Sequence, residues 1–247
     1  MSEEIEQKLL RQIEQLQKEM RELKGVNESN IPTYQFSKVT HTILKKLVDI
    51  EKNLDKEVFK SWFETNKDID NETILMFEKL IEENESLIET YSEEDLKVNF
   101  LIPILNKVHF KSFENGFRDY YELPIRYETK EFIFNGTTDF VVSKGLVESK
   151  QPYFFIQEFK KGQQEGYPES QLLAELISGV ELNEWKEIKG AYIVGAFWYF
   201  VILKKLDTNK YEYFVSKNFD SMRIDDLEKI YKNLLHIKSD IVKIVTQ

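Results

Sequence analysis

Two strand-like apolar runs, each broken by a carboxylate, constrain this chain more than any other feature. The first is Gly136-Thr137-Thr138-Asp139-Phe140-Val141-Val142, and the second is Phe154-Phe155-Ile156-Gln157-Glu158-Phe159-Lys160. Burying a carboxylate in such a run is costly unless it is paired or holds a metal ion. Alternation along a strand puts Glu158 and Lys160 on one face with Ile156, and Phe155, Gln157 and Phe159 on the other. If the two strands are neighbours, Asp139, Glu158 and Lys160 converge. Such a trio suits phosphodiester hydrolysis. Two carboxylates can hold Mg²⁺ or Mn²⁺, which prefer oxygen ligands. The ion can polarise a phosphate and acidify a bound water, and the lysine can orient that water or stabilise developing charge. An ion pair between Lys160 and one of the carboxylates accounts for the same residues equally well.

The elements around these runs predict an α/β sandwich with a mixed central sheet. Ser92-Glu93-Glu94-Asp95 opens a helix with a capping serine and an acidic first turn. Its buried face is Leu96, Phe100, Leu101, Ile104 and Leu105. Strands are expected over 120–127, 131–142 and 153–159, then a helix over 169–181. Further strands follow over 191–204 and 211–216, and an amphipathic helix over 225–244 closes the fold. Phe197, Trp198, Tyr199 and Phe200 read as core rather than as a ligand platform.

The first ninety residues read as helical. Residues 3–24 lack Gly and Pro, and Leu9, Ile13, Leu16, Met20 and Leu23 repeat at the alternating spacing of a coiled-coil seam. That seam is expected to support a homo-oligomer. Gly25 and the run from Asn27 to Pro32 end it. Residues 35–90 carry two amphipathic faces, one through Ile43, Leu44, Leu47, Ile50 and Leu54, the other through Ile74, Leu75, Phe77, Leu80, Ile81 and Leu87. The expected organisation is a coiled-coil-like helix over 1–30, a helical region over 31–90, and a catalytic-type domain over 91–247.

Charge and composition narrow the function classes. The formal net charge is −10, which argues mildly against a polyanionic partner. Between Asp68 and Asp95, however, eleven acidic residues face Lys79 alone. That segment carries a net −10 by itself, so the remainder is near neutral and can present a local basic surface. The absence of cysteine excludes disulfides and thiolate metal sites and fits a reducing cytoplasm. The start, Met1-Ser2-Glu3-Glu4, lacks the basic and apolar regions of a signal peptide. No apolar run approaches the roughly 20 residues that span a bilayer, so no membrane partner is expected. His41, His109 and His236 show no zinc spacing. No Gly-x-Ser-x-Gly or Gly-x-Gly-x-x-Gly occurs.

Asp139 followed by Glu158-Phe159-Lys160 resembles the PD-(D/E)xK nuclease superfamily, which includes restriction endonucleases and many repair nucleases. The family pattern is an Asp on one strand, then Glu or Asp, any residue and Lys on the next. Gly136 ahead of the Asp is common in the family. Gln171 opens the following helix, where several branches carry a functional Gln. Ser92-Glu93-Glu94-Asp95 followed by Phe100-Leu101-Ile102-Pro103-Ile104-Leu105 is similar to the first helix of the nuclease domain in type I restriction subunits. There an early Glu faces the metal site, and Glu93 is the matching residue. The resemblance covers about 92–216. It implies a restriction-endonuclease-like core, with a mixed sheet flanked by helices, preceded by an N-terminal helical region. It implies a Mg²⁺- or Mn²⁺-dependent endonuclease acting on nucleic acid, DNA first, in restriction, defence or repair. Asp139, Glu158 and Glu93 would be the metal ligands; Lys160 and Gln171 would complete the catalytic set with Asp139 and Glu158. Thr138 stands in place of the name-giving Pro. No Gly-x-x-x-x-Gly-Lys-Ser/Thr loop occurs, so the chain carries no motor ATPase of its own. The alternative expectation is a non-catalytic nuclease-fold module that recruits partners through its helical N-terminal region.

Overall fold

The computed structural model describes residues 31–64, 68–162 and 167–247. The helix expected over 3–24, and the self-association seam on it, lie outside these residues.

Eight strands form one mixed sheet: β1 (Thr33–Gln35), β2 (Asp49–Asn53), β3 (Phe117–Glu128), β4 (Ile133–Lys144), β5 (Lys150–Lys160), β6 (Glu187–Val194), β7 (Phe197–Asp207) and β8 (Lys210–Asp220). Their order is β1-β4-β5-β6-β7-β8-β2, and β3 pairs antiparallel with β4. Five helices are used below. They are α1 (His41–Leu47), α2 (Asn71–Asn84), α3, α4 (Pro168–Leu182) and α5 (Ile224–Thr246). Helix α3 is built from Glu93–Leu96, a π-helical stretch Lys97–Leu101, and Ile102–Val108. Ser92 caps it by a reciprocal capping box with Asp95.

The fold is therefore α/β with a mixed central sheet and flanking helices. Alternation along the strands makes two cores. Phe140, Val142, Phe155 and Phe159 pack with Phe77 of α2, Phe100 of α3 and Leu234 of α5 on one face. Val141 and Ile156 pack with Leu44 of α1 and Leu172, Leu176 and Ile177 of α4 on the other. Residues Thr33–Gln247 make a single compact unit.

The structure departs from the sequence reading in two places. Residues 35–90 are not wholly helical. Asp49–Asn53 is a strand that pairs in parallel with β8, and Thr33–Gln35 pairs in parallel with β4. Short edge strands such as these have too few residues to show a period of two. The single strand expected over 191–204 is a hairpin, β6 and β7, turning at Gly195 with φ +59. Both arms are apolar, so nothing polar marks the turn, and only the glycine provides the left-handed backbone. Within β7, Trp198 and Phe200 are core as expected, while Phe197 is exposed and Tyr199 half-buried.

Helix α4 crosses between the parallel neighbours β5 and β6, and it packs close. A Cβ on Gly190 would lie 2.8 Å from Ile156 O and 2.9 Å from Leu176 Cδ2. Neither the β5 backbone nor the buried Leu176 has free space to retreat into. Gly190→Ala is expected to lower unfolding stability by about 1–3 kcal/mol, read from urea denaturation; an unchanged midpoint would show that this interface has slack.

Candidate active site

The pairing of β4 with β5 runs from Lys144↔Lys150 to Phe140↔Gln157 and then stops. Beyond that point β5 continues beside β6 as far as Lys160↔Val194, while β4 stays with β3. The Phe159 N–H has no ladder carbonyl across this fork. It donates instead to Asp139 Oδ2 at 2.7 Å, which satisfies a buried backbone donor.

The second oxygen, Asp139 Oδ1, accepts from Lys97 Nζ at 2.7 Å. Lys97 lies 3.5 Å from Glu93 Oε1, one helical turn earlier on α3, and 3.4 Å from Glu122 Oε1 on β3. Glu122 holds φ +51, a left-handed conformation uncommon for a residue with a long side chain. Burial works to lower the Lys97 pKa, but Asp139, with Glu93 and Glu122 behind it, outweighs burial and holds the ammonium above its ordinary value.

Glu158 is fully buried. Lys160 Nζ lies 2.6 Å from its Oε1, yet neither carboxylate oxygen has a hydrogen bond of good geometry. The two observations describe one contact: close in charge, poorly aimed. The lysine donates to Phe159 O at 3.0 Å and stands 3.6 Å from Glu93 Oε2. Burial, then the charge of Asp139, pushes the Glu158 carboxyl well above the usual carboxylate range, against the pull of Lys160. For Lys160, burial works downward and Glu158 upward, and the carboxylate wins.

Asp139, Glu158, Lys160 and Glu93 thus stand in one cluster. Gln171 is buried in the first turns of α4 but bonds elsewhere. Its Nε2 donates to Glu175 Oε1 at 3.2 Å, and among the described residues no hydrogen bond joins it to Asp139 or Glu158. The sequence reading left out three members, Lys97, Glu122 and Glu175. Glu175 is fully buried, and its Oε2 has no hydrogen-bond partner. Burial and then the charge of Glu158 push its carboxyl well above the usual range. Its signal was present in the sequence, a lone acid among Leu172, Leu173, Ala174, Leu176 and Ile177. Lys97 carried a weaker one, its place four residues after Glu93 on a helix.

The donor chemistry fits a hard divalent cation. Glu158 Oε2 and Glu175 Oε2 are buried without a hydrogen-bond partner, while Glu158 Oε1 faces Lys160, and hard cations take oxygen ligands. The spacing fits less well. Among the described residues no three His, Cys, Asp or Glu side chains are already arranged around a metal position. Ammonium groups of Lys97 and Lys160 stand between the carboxylates instead. A metal at Asp139 would have to share or displace the Lys97 contact. No protein-family model matches the chain, and no curated protein is similar enough in sequence to indicate a relationship.

The raised carboxyls give a pH signature. A group whose pKa is higher in the folded state than in the unfolded one holds its proton more tightly when folded. Its contribution to stability is complete below the ordinary carboxylate pKa and is lost as pH rises through the folded value. Glu175→Gln keeps the shape and removes the ionisable group. The variant is expected to be more stable than the parent at pH 8, by roughly 1–3 kcal/mol, with the gap closing toward pH 4. Melting temperatures across that range check it. A gap that widens on acidification would mean that Glu175 is charged and compensated in the folded protein.

Proposed function

We propose that this chain is a metal-dependent nuclease of the PD-(D/E)xK type, hydrolysing phosphodiester bonds in nucleic acid, with DNA as the leading substrate. The observation that carries this reading is the fully buried Glu158, with Oε1 against Lys160 at 2.6 Å and Oε2 without a hydrogen-bond partner, across the strand fork from Asp139. A strand interior could fill these positions with Val or Ile at less desolvation cost. An ion pair accounts for Glu158 with Lys160. It does not account for Glu158 Oε2, which lacks a hydrogen-bond partner, or for the buried Glu175.

Asp139 and Glu158, with Glu93 at the mouth, would hold Mg²⁺ or Mn²⁺. The ion would polarise the scissile phosphate and lower the pKa of the attacking water. Lys160, 14% exposed at its side chain, is placed to orient that water and to offset charge growing on phosphorus oxygens. Glu158 holds the lysine in place through charge at 2.6 Å. In the balanced reaction water oxygen bonds to phosphorus, the P–O ester bond breaks, and the leaving oxygen takes up a proton. Gln171, one helical turn before Glu175, would act through it by orienting its carboxyl.

A second reading has its own support. Both oxygens of Asp139 are already engaged, by Lys97 and by the Phe159 N–H. A closed ion-pair network of this kind would suit a non-catalytic module that keeps the nuclease architecture and recruits partners through its N-terminal region.

Cleavage and metal binding separate the two. Purified protein with Mg²⁺ or Mn²⁺ is expected to cut a phosphodiester substrate. Glu158→Gln or Lys160→Ala should lower the rate by about 10²-fold or more. Lys160→Ala should reduce turnover more than metal affinity, and Glu158→Gln should reduce both. Failure of the intact folded protein to bind either ion by calorimetry would overturn the nuclease reading and favour the module.

A further inference from the structure

A row of side chains crosses the sheet away from the acidic cluster. Glu158 on β5 is registered with Tyr192 on β6, and Tyr192 with Tyr199 on β7. Directly opposed residues share a sheet face. The rings of Tyr192 and Tyr199 stack, with centroids 4.7 Å apart and planes 9° from parallel. With Tyr167, Glu169 and Val194 they line an open cavity of about 260 Å³. Tyr167 is 63% exposed at its mouth.

The wall behind these rings is held rigidly. Glu169 Oε1 accepts from Tyr213 Oη at 2.9 Å, and Oε2 accepts from Tyr192 Oη at 3.2 Å. Lys52 Nζ donates to both oxygens, at 3.1 and 2.9 Å. The carboxylate is saturated and its charge is matched. It positions the tyrosines and offers nothing further to a ligand. What remains on offer is the half-buried ring of Tyr199, backed by the buried Tyr192, and the exposed ring of Tyr167. Exposed Lys45 and Lys46 lie nearby on α1, whose His41 ring packs 6.2 Å from Tyr213.

A flat aromatic ligand suits such a slot. Tyr199 lies two strand spacings, about 10 Å, from Glu158. A strand whose phosphate sat at the acidic cluster would therefore bring a neighbouring base within reach of these rings. Bases in a duplex already stack on each other, so only an unpaired one has free faces. Aromatic side chains bind unpaired bases by that contact, with little regard to sequence. We propose that this cavity is a stacking subsite for an unpaired nucleobase, so that the acidic cluster addresses single-stranded or locally opened nucleic acid. The identity of the ligand rests on the nuclease reading above.

The test measures binding apart from cleavage. Fluorescence anisotropy would follow labelled dT₁₂, U₁₂ and a DNA duplex binding to the full chain, with Ca²⁺ in place of Mg²⁺. Unpaired strands are expected to bind more tightly than duplex. Tyr167→Ala and Tyr199→Ala should each weaken dT₁₂ binding about tenfold, while Tyr199→Phe retains it. The U₁₂ arm shows whether the sugar matters. Tyr167 is exposed, so its variant tests the subsite even if Tyr199→Ala disturbs the strand. Equal binding of dT₁₂ by parent and both alanine variants, or no preference for unpaired strand, overturns the proposal. Duplex cleavage in Mg²⁺ without that preference would remove the subsite and leave the nuclease. Tyrosine-dependent binding without any cleavage would do the reverse.

Discussion

The site depends on a fork in the sheet. From Val142 to Phe140 the pairing of β4 with β5 runs in regular register. Past Phe140 and Gln157 the strands part, and the Phe159 N–H must be satisfied by something other than the ladder. Asp139 supplies the acceptor, and from that one bond the rest follows. The carboxylate is pinned at the fork, so a cation has to come to it, and Lys97 does so from α3. Lys97 in turn draws in Glu93 and Glu122. A small polar chamber thus forms where two helical layers and three strands meet, inside a protein whose cores are otherwise aromatic and aliphatic.

The charge balance of that chamber is unequal. Glu93, Glu122, Asp139, Glu158 and Glu175 face Lys97 and Lys160. Exposed Glu122 is discounted by water, but Glu158 and Glu175 have no water to help them. A low-dielectric site with surplus carboxylates can take protons or take a cation. Both outcomes ease the same strain, and they compete. Protons would win at low pH, and a divalent ion, if the nuclease reading holds, as pH rises. On the nuclease reading, the same pressure that raises the Glu158 and Glu175 carboxyls would make them receptive to a metal. The lysines temper this receptivity. Without them the cluster would be too costly to fold, and with them it retains a residual demand for positive charge.

Much of the fold was legible because burial leaves a mark on sequence. The apolar runs at 131–142 and 153–159, the helix opened by Ser92 and the long closing helix all lie within a few residues of their structural counterparts. The Asp139, Glu158 and Lys160 cluster was legible for the same reason, a charge placed where an apolar residue would be cheaper. Elements that failed to show themselves lack that contrast. Thr33–Gln35 and Asp49–Asn53 are edge strands three and five residues long, and their partners lie far along the chain. The β6–β7 turn is hidden between two apolar arms. Lys97 was hidden because a lysine on a helix is ordinarily solvated, and only the tertiary approach of Asp139 makes it otherwise. Tyr199 was hidden among aromatic neighbours that are core, and alternation alone could not say which faces would stay open.

Net charge is a poor guide to what this protein can approach, because most of the charge lies away from the tyrosine cavity. The acids that account for it run from Asp68 to Asp95. Most of them ride on α2 or on the segment leading to α3, and the apolar side of α2, Phe77 and Leu80, packs into the core shared with α3 and α5. Tyr192 and Tyr199 belong to the opposite face, where α1 and α4 pack. The chain that packs on that face, residues 33–53, carries four lysines against two acids. An approaching polyanion feels the nearest charges most, since ions screen exposed groups beyond about 8–10 Å. Beside the tyrosine cavity stand Lys52 with Glu169 and, one strand over, Glu158 with Lys160. Segregation of charge to two sides of one sheet thus lets a chain of net −10 present a near-neutral, aromatic face. On such a face stacking, rather than long-range attraction, decides what binds.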